Sequence, residues 1–267
     1  MSMATLGASR IGYETKTYFR SPDTLFFTFF FPFVMLAIFT AAFSAQGEVG
    51  PPGSEISIGA LYLPGMIAAG ILLSGVQNLA VDIAMEKSNG TLKRLGGTPL
   101  SPISYFLGKI GQVFVTGTLQ AALLILAGWL VLGIELPTEP EKWLTFAWVF
   151  VLGLVTCALL GIALSAVPRS GKSAPAVVIP IVLLLQFISG IYLQWNMLPT
   201  WLQDIASLFP LKWIAQGMRY VFLPEGWEAL EQNGSWNLPG VAIALGIWLV
   251  VGLVLSLVTF RWIRRDA

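Results

Sequence analysis

The sequence predicts an all-α integral membrane protein, with a single transmembrane domain that fills residues 1–267. Hydrophobic residues make up 56% of the chain and charged residues only 11%, whereas soluble domains carry about 25% charged residues. A helix that crosses roughly 30 Å of hydrocarbon needs about 20 apolar residues. We therefore expect a six-helix bundle over residues 25–260, with spans at 25–45, 58–80, 110–133, 144–167, 174–193 and 239–260.

Positive charges are distributed unevenly between the two sets of loops of such a bundle. Of the 15 Lys and Arg residues, only Lys142, Lys212 and Arg219 lie on the side opposite the amino terminus. The others include the carboxy-terminal stretch RWIRR, which an even number of spans returns to the starting side. Because cytoplasmic loops carry the excess of Lys and Arg, we expect both termini in the cytoplasm.

The segment before the first span, residues 5–22, has the pattern of an amphipathic helix on the inner leaflet. Apolar residues recur at helical spacing from Ile11 to Phe19, and Arg10 and Glu14 have the i,i+4 spacing of an ion pair. Basic and aromatic residues favour the membrane interface, and a proline at the end of the segment would stop the helix. A flexible basic tail is the alternative interpretation.

Several classes of chemistry are excluded by what the chain lacks. It has no histidine, so neither an H-E-x-x-H zinc site nor a Ser-His hydrolase dyad can form. The string SGKS at 170–173 resembles the end of a phosphate-binding loop, but Ala166 stands where that motif requires glycine. The single cysteine, Cys157, cannot form an intrachain disulfide. We expect no catalytic site and no bound cofactor, metal or nucleic acid.

Uncharged polar residues occur inside the predicted spans, whereas charged residues are absent near the span centres. Ion-driven transporters typically depend on such charges, so an ion gradient is disfavoured, although carbonyls of a broken helix could still bind sodium. Amide side chains in hydrocarbon need partners on another helix or a water-filled path. The candidates for either a substrate conduit or a seam between helices or subunits are Gln77, Asn78, Gln112, Gln120 and Gln186.

A polar loop of residues 85–102 connects the second and third predicted spans. An Asn-Gly turn precedes Thr91, which we interpret as an N-cap, and a Gly-Gly pair ends one short helix. Leu92 and Leu95, three residues apart, share a face and would form an apolar knob exposed to the cytoplasm. Such a knob indicates a protein partner. A solvated loop whose basic residues only fix topology is the alternative.

The connection between the last two predicted spans, residues 194–238, is too long for a simple turn. It is apolar and aromatic without forming a continuous spanning run. We predict two short re-entrant or outer-interface helices that are split near Pro210. A small folded outer loop that packs on its own span is the alternative.

Four stretches resemble the permeases of the ABC-2 type transporter family, which include daunorubicin-type drug exporters. They are FRSPDTLFFTFFFPFVMLAIF, YLPGMIAAG, MEKSNGTLKRLGGTPLSPISYFLGK and FPLKWIAQGMRYVFL. The third carries the most specific pattern: an acidic residue, Gly-Thr-Leu, a charged pair, Leu and Thr-Pro. Here that pattern is formed by Glu86, Gly90, Thr91, Leu92, Lys93, Arg94, Leu95, Thr98 and Pro99. Lys93 departs from it, because an acidic residue is more frequent at that position.

The resemblance implies that the 85–102 loop is a cytoplasmic coupling helix that contacts a separate ABC ATPase subunit. We interpret Glu86, at the inner end of the second span, as a charged hinge contact to that partner or to the helix of residues 5–22, and ordinary surface solvation is the alternative. The resemblance also implies two ATPase copies, which would bind ATP and Mg, and a second permease in a homodimer or a heterodimer. The implied activity is export of a hydrophobic or amphipathic drug, lipid or lipid-linked glycan through the plasma membrane of a prokaryote. An ATP-independent secondary transporter or channel, and a non-transporting membrane scaffold, are the alternatives.

Overall fold

The computed structural model describes residues 3–260, and most of these residues lie in helices. Within that range the only extended pairing is one antiparallel bridge between Val49 and Ile56, without a β-strand. The all-α prediction is therefore confirmed for this part of the chain. The basic stretch RWIRR, at 261–265, lies outside the described residues.

Twelve α-helices follow one another in residues 3–260. They are α1 Met3–Tyr18, α2 Pro22–Leu25, α3 Phe31–Phe43, α4 Ile58–Leu72, α5 Leu79–Ser88, α6 Thr91–Gly96, α7 Pro102–Leu132, α8 Pro140–Leu164, α9 Ala174–Ile188, α10 Thr200–Ser207, α11 Pro210–Phe222 and α12 Leu238–Thr259. Two π-helical segments, Phe26–Phe30 and Leu73–Asn78, join α2 to α3 and α4 to α5.

Five stretches of the described chain are long and apolar enough to cross a membrane. They are Pro22–Gln46, Ile58–Ser88, Pro102–Leu132, Pro140–Leu164 and Leu238–Thr259. The remaining predicted span corresponds to α9, which has only 15 residues and therefore rises about 22 Å. Because this length is less than the roughly 30 Å of a hydrocarbon layer, the count of six spans stays a prediction.

The second span, Ile58–Ser88, forms the centre of the bundle. In its most apolar stretch of 18 residues, 83% of the stretch is buried inside the protein. The corresponding share is 17% in the first span and 22% in the last. It packs against α3, α7, α8 and α11, so protein covers most of its apolar surface. The first and last spans leave broad apolar faces exposed, as helices that contact lipid or another subunit do.

The second and fourth spans approach each other closely where two glycines meet. A Cβ atom on Gly161 would collide with the carbonyl oxygen of Gly75, and a Cβ atom on Gly75 would lie 2.5 Å from that of Cys157. Gly75 belongs to the π segment Leu73–Asn78. Small residues at a crossing allow two helix backbones to pack closely, so this contact fixes the position of the second span.

The other π segment, Phe26–Phe30, ends two residues before Pro32. A proline in a helix lacks an N–H group, and its ring clashes with the carbonyl of the residue four positions earlier. Here that residue is Thr28, in the middle of the wider π turn. The first span therefore accommodates its proline through an irregular turn, and this turn faces the second span.

The connection between α9 and α12 contains two short helices, α10 and α11, and the second begins at Pro210. Helix α11 packs against α4, α8 and α12. Its buried Arg219 pairs with Glu231 and donates a 3.3 Å hydrogen bond to the Gly190 carbonyl. These contacts hold the segment against the spans, while its depth relative to a membrane stays a prediction.

Replacing Gly161 by valine should lower the midpoint of thermal unfolding of the purified chain in detergent. The added side chain meets the backbone of the second span, and overpacking a close-packed site costs about 1–3 kcal/mol. Gly246→Val is the matched control, because a Cβ atom at Gly246 meets no atom within 4 Å. An equal decrease for both variants would contradict the close crossing.

Candidate functional site

A fully buried lysine lies at the end of the bundle that carries α1 and the 85–102 loop, which we call the loop end. The Lys109 Nζ atom lies 2.8 Å from a Glu14 oxygen, 2.5 Å from an Asp82 oxygen and 2.8 Å from a Glu86 oxygen. Its side chain is 0% exposed. Burying an unpaired ammonium costs several kcal/mol, so the three carboxylates make this position tolerable. We call these four residues the lysine cluster.

The lysine cluster joins helices α1, α5 and α7, which are distant in sequence. Arg10 pairs with Glu14, and the Tyr105 hydroxyl donates a 2.6 Å hydrogen bond to Glu86. Helix α1 also packs along α7, where a Cβ atom on Gly111 would collide with the side chain of Ile11. Residues 3–18 therefore form a helix fastened to the bundle, whereas its position at a membrane surface stays a prediction.

Sequence reasoning missed this cluster because it assigned Lys109 to a loop. The predicted third span starts at residue 110, but α7 begins eight residues earlier, at Pro102. Ser101 caps the helix by accepting a hydrogen bond from the Ser104 amide at 3.1 Å. The Ser-Pro pair was the available signal, since serine is favoured at the N-cap and proline in the first turn. A charged residue is thus buried near the loop-end terminus of the third span, and its partners Asp82 and Glu86 lie near the same end of the second span.

The three carboxylates of the lysine cluster have oxygens within 4.8 Å of one another, a spacing that also suits a metal site. The Lys109 ammonium contacts all three of them. A metal ion would have to displace this ammonium and leave it without a partner in the protein interior. The chemistry of the site therefore favours an ion-paired structural contact over a metal centre.

A second polar contact joins α1 to both π segments. The Asn78 amide donates to the Thr28 hydroxyl at 2.8 Å and to the Tyr18 hydroxyl at 3.2 Å, and the two hydroxyl oxygens lie 2.5 Å apart. Burial raises the pKa of Tyr18 to about 12, so this hydroxyl stays protonated at neutral pH. The irregular turns of the first and second spans therefore meet at one hydrogen-bonded point.

The short helix of the 85–102 loop is α6, and its cap differs from the predicted one. Gly90, with a φ of +72°, precedes the helix, and Thr91 is the first helical residue. The prediction of Thr91 as the N-cap is therefore wrong. The Asn-Gly turn enters the helix through a left-handed conformation that glycine adopts readily, so the cap falls one residue earlier.

The predicted apolar knob is also wrong, because its two leucines are not exposed. Leu92 is 2% exposed and lies in the main hydrophobic core, and Leu95 is half-buried against the same core. Helix α6 folds back on α5, so the protein itself removes this apolar surface from water. The spacing of two leucines shows that they share a face but does not show which molecule covers it.

The exposed surface of the loop is polar and basic. Lys93, Arg94, Thr98 and Pro99 are exposed, and we call these four residues the basic surface. Beside them, a groove of about 350 Å³ runs between the loop and α1, lined by Ser9, Arg10, Tyr13, Leu95, Thr98, Pro99 and Leu100. Glu86 is absent from this groove, because its side chain is 16% exposed and belongs to the lysine cluster.

A cavity of about 560 Å³ lies between α1 and the first, second and third spans and α9. Four of the five predicted amide residues line it, namely Gln77, Asn78, Gln112 and Gln186. The fifth, Gln120, lies outside it and packs against Gly70, where a Cβ atom would collide with its amide group. The structure therefore brings four of these residues together and separates the fifth.

Replacing Lys109 by methionine should strongly destabilise the chain, because the carboxylates of the lysine cluster would lose their cation. Removing one partner from a buried ion pair costs about 3–5 kcal/mol, which a lower midpoint of thermal unfolding would report. Lys172→Met is the matched control, since Lys172 is exposed. Adding Glu86→Gln to Lys109→Met should restore part of the loss. A midpoint for Lys109→Met that equals the control would refute the role of the cluster.

Comparisons with known proteins agree with this architecture. A sequence model of the family described as ABC-2 family transporter protein matches residues 52–260. The chain is 25% identical over 249 residues to ycf38 of Cyanophora paradoxa, which is named as a transport permease, and the match covers 92% of this chain and 83% of the relative. The corresponding ycf38 protein of Porphyra purpurea is 25% identical over 248 residues, with 90% and 79% covered.

A third relative is YbhR of Escherichia coli K12, which is named as a multidrug ABC transporter permease. It is 21% identical over 211 residues, which cover 75% of this chain and 56% of the relative. The family match includes the second span, the 85–102 loop and all helices that follow. The chain therefore belongs to the ABC-2 transporter family and is a multi-pass membrane protein of that family.

Proposed function

We propose that the chain is the permease subunit of an ABC exporter, driven by a separate ATPase subunit that contacts the 85–102 loop. The observation that carries this proposal is the continuity of one structural unit. The second span lines the cavity at Gln77 and Asn78, continues as α5 to Ser88 and leads directly into the exposed loop. A force applied to the loop therefore acts on a wall of the cavity.

The loop is suited to transmit such a force because it is fixed to the bundle. Leu92 is buried in the core, and Glu86 and Asp82, at the end of the same span, bind Lys109. The exposed Lys93 and Arg94 are then free to contact acidic residues on a partner. The ATPase contact we propose is accordingly the basic surface and the adjoining groove, in place of an apolar knob.

The cavity is the proposed conduit for a hydrophobic or amphipathic substrate. Its wall combines neutral amides with apolar side chains of the first and fifth predicted spans, a composition typical of small-molecule sites. The excluded amide, Gln120, belongs instead to a seam between the second and third spans. Export requires the bundle to have two packings, open to either side, that ATP binding on the partner selects.

The proposal includes an assembly of two permeases and two ATPase subunits, which hold the ATP and Mg. Two-fold pairing of permeases would cover part of the exposed apolar surface of the first and last spans. The loop end then faces the cytoplasm, in agreement with the concentration of Lys and Arg at that side. Six spans, with α9 as the fifth, place both termini on this side of a prokaryotic plasma membrane.

The test replaces Lys93 and Arg94 together by glutamine in the chain coexpressed with its cognate ATPase. Losing two interface charges should reduce copurification and ATP-dependent transport into inverted vesicles by about tenfold, without a change in thermal stability. Arg169→Gln plus Lys172→Gln is the matched control, because both residues are exposed in another loop at the same end. Undiminished assembly and transport would reject the proposed contact.

The same vesicles separate this proposal from a secondary transporter. Transport that persists at full rate without ATP and without the ATPase would favour an ion-driven or passive mechanism. No transport under any condition, together with normal assembly, would favour a membrane scaffold.

A further inference from the structure

We propose that the cavity beside α1 is selective for amphipathic organic cations and disfavours substrates that carry phosphate. This inference rests on the proposed function for its physiological meaning, but it concerns binding to the permease alone. It narrows the substrate class, because phospholipids and lipid-linked glycans carry anionic phosphate, whereas an amphipathic organic cation does not.

The charged residues that line the cavity are all acidic. Glu14, Asp23 and Asp82 contribute to its wall, and the lining residues include neither lysine nor arginine. Lys109 and Arg10 offset part of this charge from behind the wall, because they pair with Glu14 and Asp82. With Glu86 counted, the lysine cluster and Arg10 together keep a net charge of −1. The charged side chains that directly line the cavity are therefore negative, and cations pair with two of them from behind the wall.

Asp23 adds a further negative charge that the described protein does not neutralise. It is exposed at the start of the first span, and its carboxylate forms no ion pair within residues 3–260. The basic residues of the adjacent helix, Lys16 and Arg20, are exposed and do not line the cavity. Asp23 is therefore available to pair with a cationic group of a ligand.

Aromatic and aliphatic side chains adjoin this acidic region. Phe27, which lines the cavity, is 59% exposed, and aromatic rings attract both cations and other aromatic groups. Ile179 and Leu183 line the same cavity from α9 and are 44% and 47% exposed. This part of the wall suits a hydrophobic group but provides no hydrogen bond, so it favours an amphipathic ligand over a small inorganic cation.

The deep part of the cavity offers neutral hydrogen-bonding groups that lack protein partners. Gln186 is 2% exposed, and while its Oε1 accepts a 2.5 Å hydrogen bond from Tyr192, its Nε2 has no partner in the described chain. Gln112 is 5% exposed and donates to Thr116 through Nε2, whereas its Oε1 has no partner there. Both residues line the cavity. These two atoms are therefore hydrogen-bonding positions that a ligand in the cavity can reach.

The test measures equilibrium binding of radiolabelled tetraphenylphosphonium to the purified full chain in lipid nanodiscs, without the ATPase. Tetraphenylborate, an anion of nearly the same shape, is the comparison ligand, and empty nanodiscs give the partition into lipid. We expect saturable binding of the cation alone. Asp23→Asn should weaken it by about three- to tenfold, as expected for loss of one nearby charge. Asp204→Asn is the matched control, because Asp204 is exposed and does not line the cavity.

A second variant tests the location of the site. Ile179→Trp should reduce cation binding by filling the cavity from a partly exposed position that tolerates a larger side chain. Equal binding of the borate anion, equal affinities for Asp23→Asn and Asp204→Asn, or displacement of the cation by anionic phospholipid would overturn the inference. If the Lys93 and Arg94 substitutions leave assembly and transport undiminished while cation binding is intact, the proposed ATPase contact is rejected. The cation site is then still supported.

Discussion

The burial of Lys109 is the constraint on which the arrangement of the loop end depends. An ammonium inside a protein needs carboxylates within direct contact, because desolvation otherwise costs several kcal/mol. Those carboxylates come from α1 and from the end of the second span. Any conformation that keeps this lysine paired must therefore hold three elements together. They are α1, the end of α5 before the 85–102 loop, and the start of α7.

We call α1, the end of α5 and the start of α7 the fastened part, because the lysine cluster holds them together. The other helices are not held by this cluster and can move relative to it. The fastened part forms one wall of the cavity, while α9 forms another and contacts it less extensively. The π segments Phe26–Phe30 and Leu73–Asn78 lie beside the fastened part and meet at the Tyr18 hydroxyl. Such turns break the regular hydrogen bonding of a helix and are frequent at functional sites. They are the natural positions for the spans to bend.

Much of the fold could be predicted from sequence. The length of an apolar stretch indicates whether a helix can cross a bilayer, and the distribution of Lys and Arg indicates which loops face the cytoplasm. The side-chain contacts could not be predicted in this way. They depend on the exact residue at which a helix begins and on whether a loop helix packs back onto the preceding span. An error of eight residues at the start of α7 concealed the role of Lys109, and the turn of α6 onto α5 buried Leu92. All five amide residues looked equivalent in the sequence, because each is a polar residue inside a predicted span. Only the structure shows that Gln120 packs against Gly70 and lies outside the cavity.

The most direct test of this account measures two distances between spin labels in the permease–ATPase complex, with and without ATP. Pulsed electron–electron double resonance provides both distances. Spin labels at Gly12 and Asn89, both exposed, report on the fastened part, and labels at Gly12 and Leu184, which is 62% exposed on α9, report between two helices that both line the cavity. Native Cys157 is buried and should not label. The account predicts that ATP shifts the second distance and leaves the first unchanged. A comparable shift of the first distance would contradict it.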